Sequence, residues 1–151
     1  MYRDKVTLSA LIVSSSQKAA DYLQDILSRL RFSPVAYAVS IAEAKRRQLE
    51  NQFDLVIINA PLPDDFGLEF AEALCTDSSV GVILFVKAEL LEQVSYKVED
   101  YGVLTFPRPG TRQSITSAIR LAAATHNRLS AFEKRAVKLE SKMKEIRLVN
   151  R

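Results

Sequence analysis

Apolar residues along this chain alternate between two rhythms. Thr7-Leu8-Ser9-Ala10-Leu11-Ile12-Val13 is a short apolar run that reads as a buried strand. Ser14-Ser15-Ser16 follows with N-cap hydroxyls, and Ala20, Leu23, Ile26, Leu27 and Leu30 then recur at helical spacing. Pro34 to Val39 reads as a second strand. Ser40 and Glu43 have the spacing of a capping box, opening a helix that runs to about Asn51. Phe53 to Asn59 is a third strand, and its unbroken apolar run suits a sheet covered on both faces. Pro61, Pro63 and Gly67 punctuate the next loop, and Leu68 to Cys75 is helical. Gly81 to Val86 is a fourth strand, Ala88 to Val98 a helix, and Val103 to Phe106 a short fifth strand stopped by Pro107-Arg108-Pro109-Gly110. From Thr111 to Arg151 there is neither Pro nor Gly, so this stretch predicts one long helix.

Five strand–helix units predict a parallel sheet with helices on both faces. Their size fits a doubly wound (βα)5 domain of the α/β class with flavodoxin-like strand order 2-1-3-4-5. That domain is expected over residues 1–124, with 125–151 as a separate helical extension. In such a sheet the functional crevice lies beyond the C-terminal strand ends. The residues placed there are Ser14 and Ser15, Asn59, Val86 and Lys87, and Arg108.

Composition narrows the function classes. The chain has 151 residues, 48% of them hydrophobic, with only four Gly and five Pro, which suits a packed domain and not a disordered one. The formal charge of +3 is uneven: residues 1–125 carry 13 basic against 15 acidic side chains, and residues 126–151 carry 8 against 3. A mildly acidic body thus bears a basic tail. The single Cys75 sits in an apolar stretch and cannot form an internal disulfide; it reads as a half-buried thiol. Its one conceivable base, the single His126, lies far along the chain. No nucleophile–base pair or metal-ligand spacing is present, so neither an enzyme nor a metal or cofactor site is expected. No run approaches the roughly 18 apolar residues of a membrane span, and no signal-peptide core follows the charged N-terminus. The expected compartment is the cytoplasm.

The stretch Asp54-Leu55-Val56-Ile57-Ile58-Asn59-Ala60-Pro61-Leu62-Pro63-Asp64-Asp65-Phe66-Gly67-Leu68-Glu69-Phe70 resembles the receiver domain of two-component response regulators. There a phosphorylated Asp ends the third strand and a Leu-Pro-Asp-x-x-Gly loop follows. The resemblance covers about residues 5–122. It implies a pocket of two acids after strand 1, the acceptor Asp after strand 3, a hydroxyl after strand 4 and a Lys after strand 5. Position by position these become Ser14 and Ser15, Asn59, Val86 with Lys87 beside it, and Arg108. Mg²⁺ needs carboxylate oxygens, and an amide is no nucleophile for phosphoryl transfer. The resemblance therefore implies a degenerate, phosphorylation-independent receiver, open to a regulatory protein or small ligand as its input. It also makes Arg108–Pro109 a candidate cis bond. Asp64 and Asp65 are expected to cap the helix after them, Arg108 to form a structural ion pair with one of them, and Ser14-Ser15-Ser16 to cap the first helix.

The long helix carries a second pattern. Ile115, Ala118, Ala122, Thr125, Leu129, Phe132, Ala136, Leu139, Met143, Ile146 and Asn150 repeat at alternating three- and four-residue steps, as a and d positions over about five heptads. The early members also suit packing on the sheet. From Leu129 onward no sheet remains to cover, so Leu129, Phe132, Ala136, Leu139, Met143, Ile146 and Asn150 are the expected seam of a homodimeric coiled coil. Parallel pairing sets Arg128 against Glu133 and Arg135 against Glu140, whereas antiparallel pairing opposes Arg128, Arg135 and Lys142. Asn150 is placed to fix register. His126, at an e position, reads as a solvated surface residue. The bases Lys134, Arg135, Lys138, Lys142, Lys144, Arg147 and Arg151 suit either the solvated outside of that coil or contact with nucleic acid phosphates. Leu139 to Arg151 further resembles the opening helix of an ANTAR domain, an RNA-binding module of antitermination regulators. The helical pattern reaches Arg151 without a C-cap, so the RNA-reading helices are expected to lie outside this sequence. A DNA-binding output is the alternative.

Overall fold

The computed structural model describes residues 7–149, with side-chain environments for residues 7–146. Its strands are β1 (Ala10–Val13), β2 (Val35–Ala38), β3 (Leu55–Asn59), β4 (Gly81–Lys87) and β5 (Leu104–Arg108). Between and after them run α1 (Gln17–Arg29), α2 (Ile41–Glu50), α3 (Leu68–Asp77), α4 (Leu91–Val98) and α5 (Arg112–Val149). All pairings are parallel, in the order β2-β1-β3-β4-β5, with Ala10 beside Val35 and Leu55, Leu55 beside Gly81 and Ile83 beside Leu104. The expected flavodoxin-like (βα)5 order is the observed one.

Alternation along the strands builds two cores. Leu11, Val13, Val56, Ile58, Val82 and Leu84 face α2, α3 and α4, meeting Ile41, Ala44, Phe70, Ala71, Leu74, Val94 and Val98. Their neighbours Ala10, Ile12, Leu55, Ile57, Ile83 and Phe85 face α1 and α5, meeting Leu23, Ile26, Leu27, Ile115, Ala118, Ile119 and Ala122. Both faces are apolar because both are covered.

Element boundaries differ in informative ways. β1 begins only at Ala10: the Leu8 carbonyl is taken by the Ser33 amide, and the Ser9 amide donates to the Asp54 carboxylate at 2.9 Å. β5 continues through Pro107 to Arg108, where the sequence predicted a stop. It is an edge strand, so the amide hydrogen that Pro lacks interrupts no second ladder. The Arg108–Pro109 peptide is cis. The expected fourth helix opens as a 3-10 turn, Ala88–Leu90, before α4. Gly67 precedes α3 at φ 105°, a left-handed conformation that favours Gly.

α5 spans 38 residues, about 57 Å at the usual rise. Its sheet face is Ile115, Ala118, Ile119, Ala122 and His126. Gly81 permits this docking: a Cβ there would lie 2.5 Å from the Ala122 carbonyl oxygen. Past Ser130 every side chain described is exposed. Asn150 and Arg151 lie outside the described residues, and so does the side chain of Arg147. Among the described residues no helix is long and apolar enough to cross a membrane.

Candidate functional site

The strand ends bring together three of the residues singled out in the crevice. Arg108 Nη1, at the end of β5, donates to Asn59 Oδ1 at 2.6 Å. Asn59 Nδ2 donates to Ser14 Oγ at 3.2 Å. Ser14 Oγ donates to the Ser16 carbonyl at 3.1 Å and accepts from the Ser16 amide at 3.1 Å. That hydroxyl therefore uses its one hydrogen and both acceptor sites. Ser16 caps α1, its Oγ accepting from the Ala19 amide at 3.2 Å. The chain from Arg108 to the α1 cap is closed on itself, and burial of the guanidinium lowers the Arg108 pKa from its ordinary value.

The other crevice residues stand apart from this chain. Val86 is fully buried in the core on the α2–α4 face. Lys87 is exposed and paired in register with Arg108 on the neighbouring strand. Ser15 is exposed.

The two loop acids correct the sequence reading. Asp64 accepts from the Ile41 and Ala42 amides, both at 2.9 Å, so it caps α2, the helix before it, and not the helix after it. Those backbone bonds hold its carboxyl below the ordinary value of 3.8. Asp65 Oδ1 accepts from the Gly67 amide at 2.8 Å, at the approach to α3. Arg108 forms no ion pair with either acid. The orphan amides at the start of α2 have taken Asp64, and Arg108 turns to a neutral amide oxygen.

The donor set does not suit a hard divalent cation. Ser14, Ser15 and Asn59 supply two hydroxyls and an amide where magnesium takes carboxylates. Among the described residues no group of three or more His, Cys, Asp or Glu could hold a metal ion. Cys75 is half-buried, and burial pushes its thiol up to about 11, far from the thiolate a nucleophile needs.

At the opposite, N-terminal end of the strands lies a cluster the sequence reading missed. His126 was expected in solvent, yet its side chain is 11% exposed. Nδ1 lies 2.8 Å from the Ser79 carbonyl oxygen and Nε2 lies 3.2 Å from Asp54 Oδ1. Asp54 Oδ2 in turn accepts from the Ser9 amide at 2.9 Å and the Ser9 hydroxyl at 3.2 Å, and Ser9 Oγ accepts the Asp54 amide at 3.1 Å. The sequence signal was spacing: His126 follows Ala122 by four residues and Ile119 by seven, on the face that meets the sheet.

Beyond His126 the helix exposes its apolar stripe. Leu129, Phe132, Leu139, Met143 and Ile146 are between 41% and 62% exposed, and Ala136 is exposed with them. The guanidiniums of Arg128 and Arg135 lie 6.0 and 5.8 Å from the Phe132 ring centroid.

No family model matches the chain, and no curated protein matches it. Solved structures do. It is similar to the signal receiver domain of an HD domain-containing protein from Pseudomonas fluorescens, with TM-score 0.73 and 21% identity over 84% of this chain and 94% of that one. A chain from an adenylate cyclase of Rhodopirellula baltica matches at TM-score 0.77 and 17% identity, over 88% and 99% of the two chains. The chemotaxis response regulator CheY4 of Vibrio cholerae matches at TM-score 0.68 and 16% identity, over 78% and 99%. Strand order, helix placement and these likenesses agree that the chain has the fold of the response-regulator receiver domains.

Proposed function

We propose that this chain is a phosphorylation-independent receiver module of a signal-transduction regulator, without enzymatic activity, that dimerises through α5 and controls an RNA-binding antitermination output. The observation that carries the first part is the Arg108–Asn59–Ser14 chain. Where a receiver needs carboxylates for a metal and a nucleophile, this crevice holds a guanidinium, an amide and a hydroxyl joined to one another by hydrogen bonds. Signal input then falls to a partner protein or a small ligand. Incubation with acetyl phosphate and Mg²⁺ tests this directly: intact mass should show no phosphoryl adduct, and an adduct on any side chain overturns the reading.

The stripe from Leu129 to Ile146 supports dimerisation through a second copy. It repeats at coiled-coil spacing, projects past the sheet and is exposed along its length. Fully burying an exposed Leu, Ile, Phe or Met side chain contributes about 1.5–3 kcal/mol, and pairing two stripes sets a part of that gain from each side chain against the cost of association. The RNA output rests on the likeness of Leu139–Arg151 to an ANTAR helix and on the basic side chains around it. Gel shifts of the whole protein separate the alternatives. Salt-sensitive binding to an RNA hairpin supports this output, and preference for duplex DNA replaces it.

A further inference from the structure

α5 joins the body of the molecule to its projecting half, and the last buried side chain on it is His126. Four residues earlier the Ala122 backbone lies against Gly81, at the start of β4. Three residues later Leu129 opens the exposed stripe. His126 therefore occupies the point at which the helix leaves the sheet.

Both atoms that face its ring nitrogens are acceptors. The Ser79 carbonyl oxygen has no hydrogen to give, so Nδ1 must donate to it. The Asp54 carboxylate lies within ion-pairing distance of Nε2, at 3.2 Å, so a proton on Nε2 faces an anion when Asp54 is ionised. A neutral imidazole has one N–H and can satisfy one of these contacts. The imidazolium keeps the bond to Ser79 and adds the ion pair with Asp54. Ser9 holds the other oxygen of Asp54 through amide and hydroxyl, which orients the carboxylate toward the ring. Three segments thus meet on one ring: the approaches to β1 and β3 through Ser9 and Asp54, and the approach to β4 through Ser79. Asp54 is the one charged side chain within ion-pairing distance of the ring among the described residues. Asp77, at the end of α3, is exposed, and on the ring's own helix the Arg128 guanidinium lies over Phe132.

We propose that His126 is a protonation-dependent latch that fixes the projecting half of α5 to the N-terminal edge of the sheet. Protonated, it ties the helix to Asp54 and Ser79 together. Neutral, it leaves a lone pair against an acceptor, and the helix loosens from about Ile119 outward. The latch is closed while both ring nitrogens carry a proton and opens when one proton is lost. It acts whether α5 stands alone or pairs with a second copy.

Because the chain has one histidine, its imidazole gives one titrating proton resonance. The test follows that resonance alongside amide hydrogen exchange in the whole protein, corrected for the intrinsic dependence of exchange on pH. Exchange over residues 119–130 should accelerate about tenfold or more as the imidazole loses its proton, while the β3 amides Val56 to Ile58 hold steady. His126→Gln, with no titrating ring, should abolish the step, and Asp54→Asn, which drops the charged acceptor, should shrink it. A wild-type protein whose α5 protection is the same on both sides of the titration overturns the latch. So does a step that persists in His126→Gln, or one undiminished in Asp54→Asn should the first variant fail to fold.

Discussion

Arg108 carries its charge into a half-buried position and commits one donor to an uncharged partner, the Asn59 amide oxygen. Removing the guanidinium leaves that oxygen without its donor. Arg108→Ala should therefore cost about 1–2 kcal/mol in urea unfolding, partial exposure keeping it at the low end for a charged donor. Arg108→Lys, with no planar fork, should recover only part of this. Asp64 answers a different question at the same scale. Its folded pKa is depressed, first by the Ile41 amide bond and then by that of Ala42. A depressed carboxylate stabilises the fold above its ordinary value of 3.8, and that contribution is lost as pH falls through the lowered folded value. Asp64→Ala should lower the urea midpoint at neutral pH, and the gap from wild type should close on acidification below pH 3.8. A gap that persists unchanged in acid would show that the carboxylate charge is not what α2 uses. That Ser14, Asn59 and Arg108 stand together at the strand ends was legible from position alone. The partners of Asp64 and Arg108 were not, because a loop carboxylate can reach either of two helix ends and local spacing does not choose between them.

At the scale of the element, α5 shows how one helix serves two surfaces. Its first part is held by close backbone approach at Gly81, by Ile115, Ile119 and Ala122 in the core, and by His126 at the edge. Gly81→Ala would place a methyl 2.5 Å from the Ala122 carbonyl oxygen, so helix and strand must separate. The expected loss is about 1–3 kcal/mol in chemical unfolding, accompanied by faster amide exchange in α5. The heptad pattern anticipated the sheet contacts of Ile115, Ala118 and Ala122, and it also singled out Thr125. In the structure Thr125 is half-exposed, its hydroxyl donating to the Leu121 carbonyl at 3.0 Å, while Ile119 and His126 are inward. A helix packed on a sheet buries a wider stripe than a two-helix seam, and the e positions fall inside it. That width is why His126 was misread as solvated. β5 carries a similar lesson. Pro107 looked like a stop, but an edge strand has one neighbour and loses nothing on its other side.

For the molecule as a whole, an acidic body and a basic projecting helix are built to do different things. On the proposed function, replacing Leu129 and Phe132 together by Lys should reduce the proposed dimer to a monomer by light scattering. Neither side chain belongs to the two cores, so thermal unfolding measured on the sheet should move little. A variant of unchanged mass would remove the dimer from the proposed function and leave the crevice chemistry untouched.

Strand and helix identity, the strand order and the residue types at the strand ends could all be read from the chain itself. They depend on hydrophobic period and residue type, which are local properties, and on a topology with few right-handed alternatives. Tertiary structure alone decided who bonds whom: Asp64 with α2, Arg108 with Asn59, His126 with Asp54 and Ser79. Each of these contacts joins residues from 22 to 72 positions apart, and polar partners at such separations are chosen by where the packed sheet and helices leave their unpaired donors and acceptors.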